Sequence, residues 1–259
     1  AGGLVGWAED SEITQVYSPG AVTAGAGASA VGGLIGGISD DSEYVSITYA
    51  YWVEETSGQD QDVGYLGDVG GTLEIHKLTI DDLQTALPDG FISEVWGILE
   101  GTSYPYFLWR FPNGPSVISG WALRENDGDP PQEIGYLTGG MALGGVVSGP
   151  RHTGANGYYY SMFDPQENAP LITWFGNEDT AGNPVSYRGN ALRFTSGTHA
   201  IGTAVWDGWI TVTNPGPTLS GIMYGAVEGI GDLHNHEGIL YTLGSVIIEK
   251  DIHLKITAT

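Results

Sequence analysis

The feature that most constrains this chain is a five-residue glycine word that occurs twice near its start. The word is GGLVG at residues 2–6 and GGLIG at residues 32–36. Glycine loses more backbone entropy on folding than any other residue, so its repeated use indicates a repeated geometry that side chains would obstruct. We expect these glycines to supply a left-handed backbone and a close approach, while the apolar residues between them fill a core.

The same features follow each glycine word in the same order. An acidic stretch, AEDSE or SDDSE, precedes a β-rich run, ITQVYS or VSITYA, in which Tyr17 matches Tyr49. A period of about 30 residues is typical of solenoids, propellers and arrays, and these units are too short and glycine-rich for helical repeats. The sequence therefore predicts a short β-solenoid-like region, in which we count two units.

Residues 78–111 are expected to close this region. Thr79 is a suitable N-cap for one short helix over residues 80–87, which Pro88 and Gly90 end. The aromatic words VWGIL and YPYFLWRF that follow are predicted to be buried strands.

The stretch PNGPSV at residues 112–117 predicts a domain boundary, which separates residues 1–112 from residues 113–259. The second region carries alternating apolar and polar residues, and Asn156-Gly157 before an aromatic run is a strong hairpin signal. We predict an antiparallel β-sandwich for residues 113–259, so that the whole chain is all-β with one short capping helix.

The glycine words, together with LPDGF, VWGI and GTSYPYFLW in residues 78–111, resemble the GLUG repeats of bacterial filamentous-haemagglutinin-like surface proteins. The resemblance implies the C-terminal part of a secreted adhesin of the two-partner-secretion type, located outside the cell at the bacterial surface. Residues after 113 are similar to the small prealbumin-like sandwich modules of such proteins, and the likeness fades after about residue 200.

The charge of the chain limits the classes of molecule that it can bind. It has 31 acidic and 8 basic residues, a net charge of -23, and no cysteine. Nucleic acid is a poor partner because binding it depends on neutralising phosphates. Disulfides and thiolate metal sites are excluded, and no stretch is apolar enough over the length that a membrane span needs.

One short word suggests a metal site. In DLHNHEG two histidines are two residues apart, so an extended backbone would direct both to one face. Imidazoles with carboxylates bind zinc and other divalent ions. The alternative is that this stretch is a polar loop between strands, since the sequence indicates no further ligand at a distant position. A divalent cation is thus the one cofactor left open, with candidate ligands His234, His236, Asp232 and Glu237.

The sequence favours a protein without enzymatic activity. It contains no nucleophile elbow, zincin word or P-loop, and Lys77 is the only basic residue before Arg110 to assist a lyase. A carbohydrate-binding or polysaccharide-cleaving module is the alternative.

The first unit begins with no capping element, so its strand edge should be exposed. We therefore predict an assembly interface at Leu4, Val5, Val16 and Tyr17. Its partner is either an upstream solenoid of the same polypeptide or a neighbouring subunit, in which case a fibre forms. The predicted function is an adhesin-like or fibre-forming surface protein, with a glycan or host surface as a further partner.

Overall fold

The computed structural model describes residues 1–127, 129–167, 169–178, 184–194, 200–207, 209–213, 239–242, 245–248 and 253–257. Over these residues the fold is all-β, as the sequence predicted, with twenty strands and two short helices. Neither of these helices has the length and apolar character that crossing a membrane would require.

The chain divides into two compact units. Unit 1 comprises Ala1–Gly114 and Gly154–Asn156, and unit 2 comprises Pro115–Thr153 and Gly157–Thr259. The first dividing point falls within the Pro/Gly-rich stretch at 112–117. No sequence signal indicated that three later residues belong to unit 1.

Unit 1 is built on six strands: β1 (Val5–Ala8), β2 (Ser11–Ser18), β3 (Ile35–Ile38), β4 (Val45–Val53), β5 (Val63–Leu66) and β6 (Leu73–Leu78). They form two parallel sheets, one with the order β1-β3-β5 and the other with the order β2-β4-β6. We call β1 with β2 repeat 1, β3 with β4 repeat 2, and β5 with β6 repeat 3. Each repeat therefore adds one strand to each sheet.

Repeat 3 was missed in the sequence. Strand β5 pairs in parallel with β3, with Val63 opposite Ile35, and β6 pairs in parallel with β4. Residues 60–62 are DQD where the glycine word has GGL, so only Val63 and Gly64 preserve the pattern. The count of two units was too low because the most recognisable part of the word is absent from the third.

The strand register also corrects the alignment of the tyrosines. Tyr17 lies opposite Tyr51 and not, as predicted, opposite Tyr49. The cause is the length of the connections, because residues 9–10 join β1 to β2 whereas residues 39–44 join β3 to β4.

The glycines of the repeated word allow close packing between repeats. None of these glycines has φ in the left-handed region, so the expectation that they supply a left-handed backbone was wrong. A Cβ on Gly32 would overlap the backbone of Ile35 and of Asp62 in repeat 3, and one on Gly33 would overlap the ring of Trp52. The word recurs because a side chain at these positions would push neighbouring segments apart.

The apolar core of the repeats is centred on repeat 2. Its buried members are Ala8, Leu34, Ile35, Ile38, Val45, Ile47, Ala50 and Trp52. Residues of the outer repeats pack against this cluster but are only partly buried, among them Val5, Ile13, Val16, Val63 and Ile75.

Helix α2 (Ile80–Thr85) begins where the sequence predicted. The Thr79 hydroxyl accepts a hydrogen bond from the Asp82 backbone N–H, and the Asp82 carboxylate accepts one from the Thr79 N–H, each at 3.0 Å. This capping box satisfies two N–H groups that a helix start leaves unpaired. Hydrogen bonds from Thr79, its hydroxyl first, lower the pKa of Asp82.

A second helix, α1 (Glu54–Ser57), was not predicted. It is a single turn directly after β4, and Gly58 ends it in the left-handed conformation. Beyond α2, the words VWGIL and YPYFLWRF contribute only the two-residue strands β7 (Trp96–Gly97) and β8 (Tyr106–Phe107), which pair antiparallel.

Unit 2 contains the remaining strands. They are β9 (Ser116–Arg124), β10 (Gln132–Glu133), β11 (Thr138–Leu143), β12 (Val146–His152), β13 (Tyr158–Phe163), β14 (Pro170–Glu178), β15 (Pro184–Phe194), β16 (Ala200–Trp206), β17 (Trp209–Thr213), β18 (Ile239–Thr242), β19 (Ser245–Ile248) and β20 (His253–Thr257). One sheet joins β10, β9, β13 and β16, and another has the order β12-β11-β14-β15-β17-β20. Strands β18 and β19 form a separate antiparallel pair.

The sheets of unit 2 are mixed, whereas the sequence predicted antiparallel pairing. Strand β16 runs parallel to β9, and β17 runs parallel to both β15 and β20. Gly157 adopts positive φ in the turn before β13, but β12 and β13 belong to different sheets, so the Asn156-Gly157 signal does not form a hairpin.

One core cluster of unit 2 draws on both larger sheets. Strands β9, β13 and β16 contribute Ile118, Ala122, Tyr159, Phe163, Ile201 and Val205, and strands β11, β14 and β15 contribute Met141, Leu143, Leu171, Phe175, Tyr187 and Ala191. The Tyr187 hydroxyl donates to the Val205 carbonyl at 2.7 Å. The two sheets therefore share one interior.

Candidate functional site

Among the residues that the structure describes, no strand pairs with the outer side of β1 and β2 or with the outer side of β5 and β6. We call the unpaired side of β1 and β2 the front edge, and the unpaired side of β5 and β6 the rear edge. Leu4 and Leu34 occupy equivalent places, because the N–H of Leu4 donates to the Leu34 carbonyl across the repeats. The Leu4 side chain is 45% exposed, whereas that of Leu34 is 0% exposed. A core-type residue is thus uncovered at the front edge.

The rear edge is uncovered in the same way. Leu66 pairs with Ile38, and Leu66 is 58% exposed whereas Ile38 is 0% exposed. Leu73, which pairs with the buried Ile47, is also exposed. Among the described residues, the middle repeat has a neighbouring repeat on both sides.

The four predicted interface residues do not share one environment. Leu4 is exposed at the front edge, while Val5 and Val16 are partly buried against the core of the repeats. Tyr17 points into an aromatic cluster of unit 1 instead. The structure therefore leaves Leu4 as the most accessible of the four.

Tyr17 is held by residues that follow α2. Its ring makes edge contacts with Trp96 and Tyr104 and a tilted contact with Phe91, at centroid distances of 6.0, 6.4 and 6.3 Å. Its hydroxyl donates to the Pro105 carbonyl. Burial raises the pKa of the Tyr17 phenol well above its usual value.

We call residues 88–111 the closing segment, because they pack on strands of repeats 1 and 2. Tyr51 in repeat 2 makes an edge contact with Phe91 and donates from its hydroxyl to the Asp89 carbonyl at 2.9 Å. Tyr51 lies opposite Tyr17 in the sheet, so tyrosines at equivalent positions of two neighbouring strands both hold the closing segment.

Two residues with unusual backbone conformation, at equivalent positions of β2 and β4, also contact the closing segment. Gln15 and Tyr49 occupy equivalent positions in β2 and β4, and both have positive φ, 53° and 50°. Such values are uncommon for residues with a Cβ. The Gln15 amide oxygen accepts from the Ile92 N–H at 3.1 Å, and the Tyr49 ring lies against Gly90, where no side chain would fit.

Aspartates tie successive repeats together. The Asp10 carboxylate accepts from the N–H of Glu43 at 2.8 Å, and the Asp40 carboxylate accepts from the N–H of Asp68 at 3.2 Å. The acidic stretches that the sequence highlighted are thus partly used as acceptors between repeats. Over the described residues, no cluster of three or more metal-binding side chains occurs.

An aromatic pair lies on the outer face of the β1-β3-β5 sheet. Trp7 and Tyr65 flank Gly37, and their rings stack at a centroid distance of 5.9 Å and an angle of 10°. A Cβ on Gly37 would overlap the Trp7 ring. Both rings are exposed, and the Tyr65 hydroxyl donates to Asp40, which raises the pKa of Tyr65. This pair could not be predicted from the sequence because the glycine word does not mark repeat 3.

The predicted metal ligands lie outside the described residues. This holds for all four of them, Asp232, His234, His236 and Glu237. The metal site therefore stays a prediction.

The comparisons with known proteins found no relative. No family model matches the chain, and no curated protein or solved structure is significantly similar to it. What the protein does must therefore be argued from its own geometry.

Proposed function

We propose that this protein is a non-enzymatic, extracellular surface protein of the adhesin-like or fibre-forming kind. In this proposal unit 1 is a short β-solenoid that docks on a neighbouring element through an open edge, and unit 2 is a β-sandwich. The resemblance to filamentous-haemagglutinin-like proteins with GLUG repeats, exported from bacteria by two-partner secretion, belongs to the same proposal.

One observation carries the proposal. Three repeats pair in parallel in both sheets, with one register shift between β4 and β6, and the equivalents of buried residues Leu34, Ile38 and Ile47 in the outer repeats include the exposed Leu4, Leu66 and Leu73. Quasi-one-dimensional stacks of this kind bury their core only against neighbouring repeats. The geometry suits a protein that extends or assembles.

The distribution of charge supports a surface role. Between Ala1 and Gly114 the only basic side chains are Lys77 and Arg110, while acidic residues are frequent. A large net negative charge favours solubility at an exposed surface and disfavours polyanionic partners. The described part of unit 1 offers few cationic groups that would assist in cleaving an acidic polysaccharide.

Sedimentation velocity and negative-stain imaging over a range of concentrations test the docking edge. The variant Leu4→Lys places a charge on the front edge, and Val146→Lys, at an exposed position of unit 2, is the matched control. If the protein forms fibres through this edge, association is lost in Leu4→Lys alone. If the wild-type protein stays monomeric, the fibre-forming version of the proposal is excluded. The adhesin-like version, in which another repeat covers the front edge, is then favoured.

Two results would contradict the proposal. One is association that Val146→Lys abolishes and Leu4→Lys leaves intact, because the interface would then lie in unit 2. The other is reproducible turnover of a polysaccharide that disappears when one carboxylate is changed to its amide.

The Trp7–Tyr65 pair favours a second candidate function, carbohydrate binding. Exposed aromatic rings offer an apolar face on which a sugar ring can stack, and the adjacent Asp40 carboxylate can accept hydrogen bonds from hydroxyl groups. Glycan-array binding by the wild type should fall in Trp7→Ala and persist in Trp109→Ala, which removes an exposed ring elsewhere in unit 1. Equal binding by both variants would exclude the pair as the site.

A further inference from the structure

Gly6 has no steric reason to be glycine in the structure as it stands. No atom lies within 4 Å of the place where a Cβ on Gly6 would be, and its φ is not in the left-handed region. It lies within strand β1, where glycine weakens the strand and often marks close approach by another backbone. A feature outside the three repeats must account for this residue.

The equivalents of Gly6 show what that feature is. Gly36 and Gly64 occupy the same place in repeats 2 and 3. A Cβ on Gly36 would overlap the backbone of Gly6 and Ala1 in repeat 1, and a Cβ on Gly64 would overlap the backbone of Val31 at the start of repeat 2. At this position glycine makes room for the backbone of the preceding repeat.

The rear edge lacks the features that a following repeat needs. A Cβ on Gly2 or Gly32 would overlap the backbone of the next repeat as well as that of its own repeat. The strand register places Asp60 at the corresponding position of repeat 3. A repeat stacked behind repeat 3 in the same geometry would collide with this side chain.

We infer that the front edge is a docking surface for one further repeat that carries the glycine word and pairs in parallel with β1. A second copy of this chain does not fit in this parallel stacking, because its rear edge carries Asp60 where Gly2 and Gly32 stand in the other repeats. The docked repeat continues the interface that repeats 1, 2 and 3 already form, covers Leu4, and brings its backbone against Gly6. This inference rests on the proposed β-solenoid. It adds that further repeats stack at the front edge and that repeat 3 is the last repeat of the stack.

The test adds a repeat at the front edge. A tandem chain carries a second copy of residues 1–30 joined directly to Ala1, so that the junction reproduces the natural step from residue 30 into repeat 2. Gly6→Ala is introduced into the original repeat 1, in both the natural chain and the tandem chain. Gly36→Ala is the matched control, because its surroundings are filled in both chains.

Amide hydrogen exchange of β1 and the unfolding midpoint of unit 1 are measured. In the tandem chain we expect protection of β1 to rise by about tenfold or more, towards that of β3. Gly6→Ala should remove this gain in the tandem chain and leave the natural chain unchanged. A tandem chain whose added copy carries Gly2→Asp and Gly3→Gln, which imitate repeat 3, should show no gain.

The outcomes separate this inference from the proposed function. If Gly6→Ala has no effect in the tandem chain, or the added copy gives no protection, the docking surface is wrong while the solenoid stands. If the natural chain self-associates and Gly6→Ala abolishes association, the occupant is a second copy and the inference fails. If Gly36→Ala is neutral in the natural chain, the repeats do not stack as described and the proposed function itself is wrong.

Discussion

The two units bury their cores in opposite ways. Unit 1 stacks short parallel strands one repeat at a time, and in its repeat core every fully buried residue except Ala8 belongs to the middle repeat. In unit 2 one core cluster draws on two mixed sheets, with members from strands far apart in sequence. Burial in unit 1 thus depends on neighbouring repeats, whereas burial in unit 2 depends on contact between sheets.

Glycine, by contrast, is used in the same two ways in both units. A Cβ on Gly32 or Gly64 of unit 1 would overlap the backbone of a neighbouring repeat, and a Cβ on Gly139 of unit 2 would overlap the backbone of a neighbouring strand. Positive φ also occurs in both units, as at Gly58 and Gly157. The difference between the units therefore lies in how their cores are covered.

The largest effect should come from Gly32→Val, which breaks unit 1 alone. The added side chain overlaps backbone atoms that cannot move aside, and we expect a loss of more than about 4 kcal/mol, enough to unfold the repeats. Gly20→Val is the control, because nothing lies within 4 Å of its Cβ position. Residue-resolved hydrogen exchange should show loss of protection in β1–β6 and retention in β9–β16. Loss of protection in both units would remove the distinction between them.

Leu143→Ala is the converse experiment. Leu143 is fully buried in the unit 2 core, and truncation of such a side chain costs about 2–5 kcal/mol. Denaturant unfolding should shift the transition of unit 2 and leave that of unit 1 in place. Val146→Ala, at an exposed position on the next strand, should change neither transition. A shift of unit 1 by Leu143→Ala would show that the two cores unfold together.

Alkaline pH should weaken both units through buried phenols. Burial raises the pKa of Tyr17 in unit 1 and of Tyr187 in unit 2, the latter with a smaller contribution from Asp207. As pH rises past the unfolded pKa of about 10, only the unfolded chain loses these protons, so stability falls. At pH 11 we expect a loss on the order of 1 kcal/mol for each tyrosine.

The variant Tyr17→Phe checks this pH effect. It should reduce the alkaline loss in unit 1 and leave unit 2 unchanged, as followed by unfolding curves at pH 8 and pH 11. Equal pH sensitivity of unit 1 in the variant and the wild type would show that Tyr17 is not responsible.

The smallest effect is expected from Thr79→Ala. It removes the capping hydroxyl of α2 and should destabilise unit 1 by about 1 kcal/mol at neutral pH. Thr79 also lowers the pKa of Asp82, so the wild type gains stability above the unfolded pKa of Asp82 and loses it as pH falls through the folded value. The difference between Thr79→Ala and the wild type should therefore shrink in acid. Thr79→Ser, which retains the hydroxyl, should behave like the wild type.

Much of unit 1 could be predicted because its signals are local. The glycine word located the pairing of β1 with β3, and Thr79 located the start of α2. The third repeat could not be found, because Asp60 and Gln61 replace the two glycines that begin the word.

The parts that escaped prediction depend on distant contacts. Parallel pairing of β16 with β9 joins segments that are far apart in sequence, and no local pattern specifies it. Tyr17 was expected at an interface because its strand is an edge. The structure instead directs it towards Trp96, a contact that emerges only when the closing segment folds back.

The closing segment has a mechanical consequence. It is attached to repeat 1 at Gln15 and Tyr17 and to repeat 2 at Tyr51. A force that pulls repeat 1 away from repeat 2 therefore acts on these side-chain bonds together with the strand pairing, so that the load is shared between two connections in parallel. Repeat 1 cannot peel away alone until the Gln15 and Tyr17 attachments break, and this shared load makes unit 1 suited to bear tension transmitted through β1.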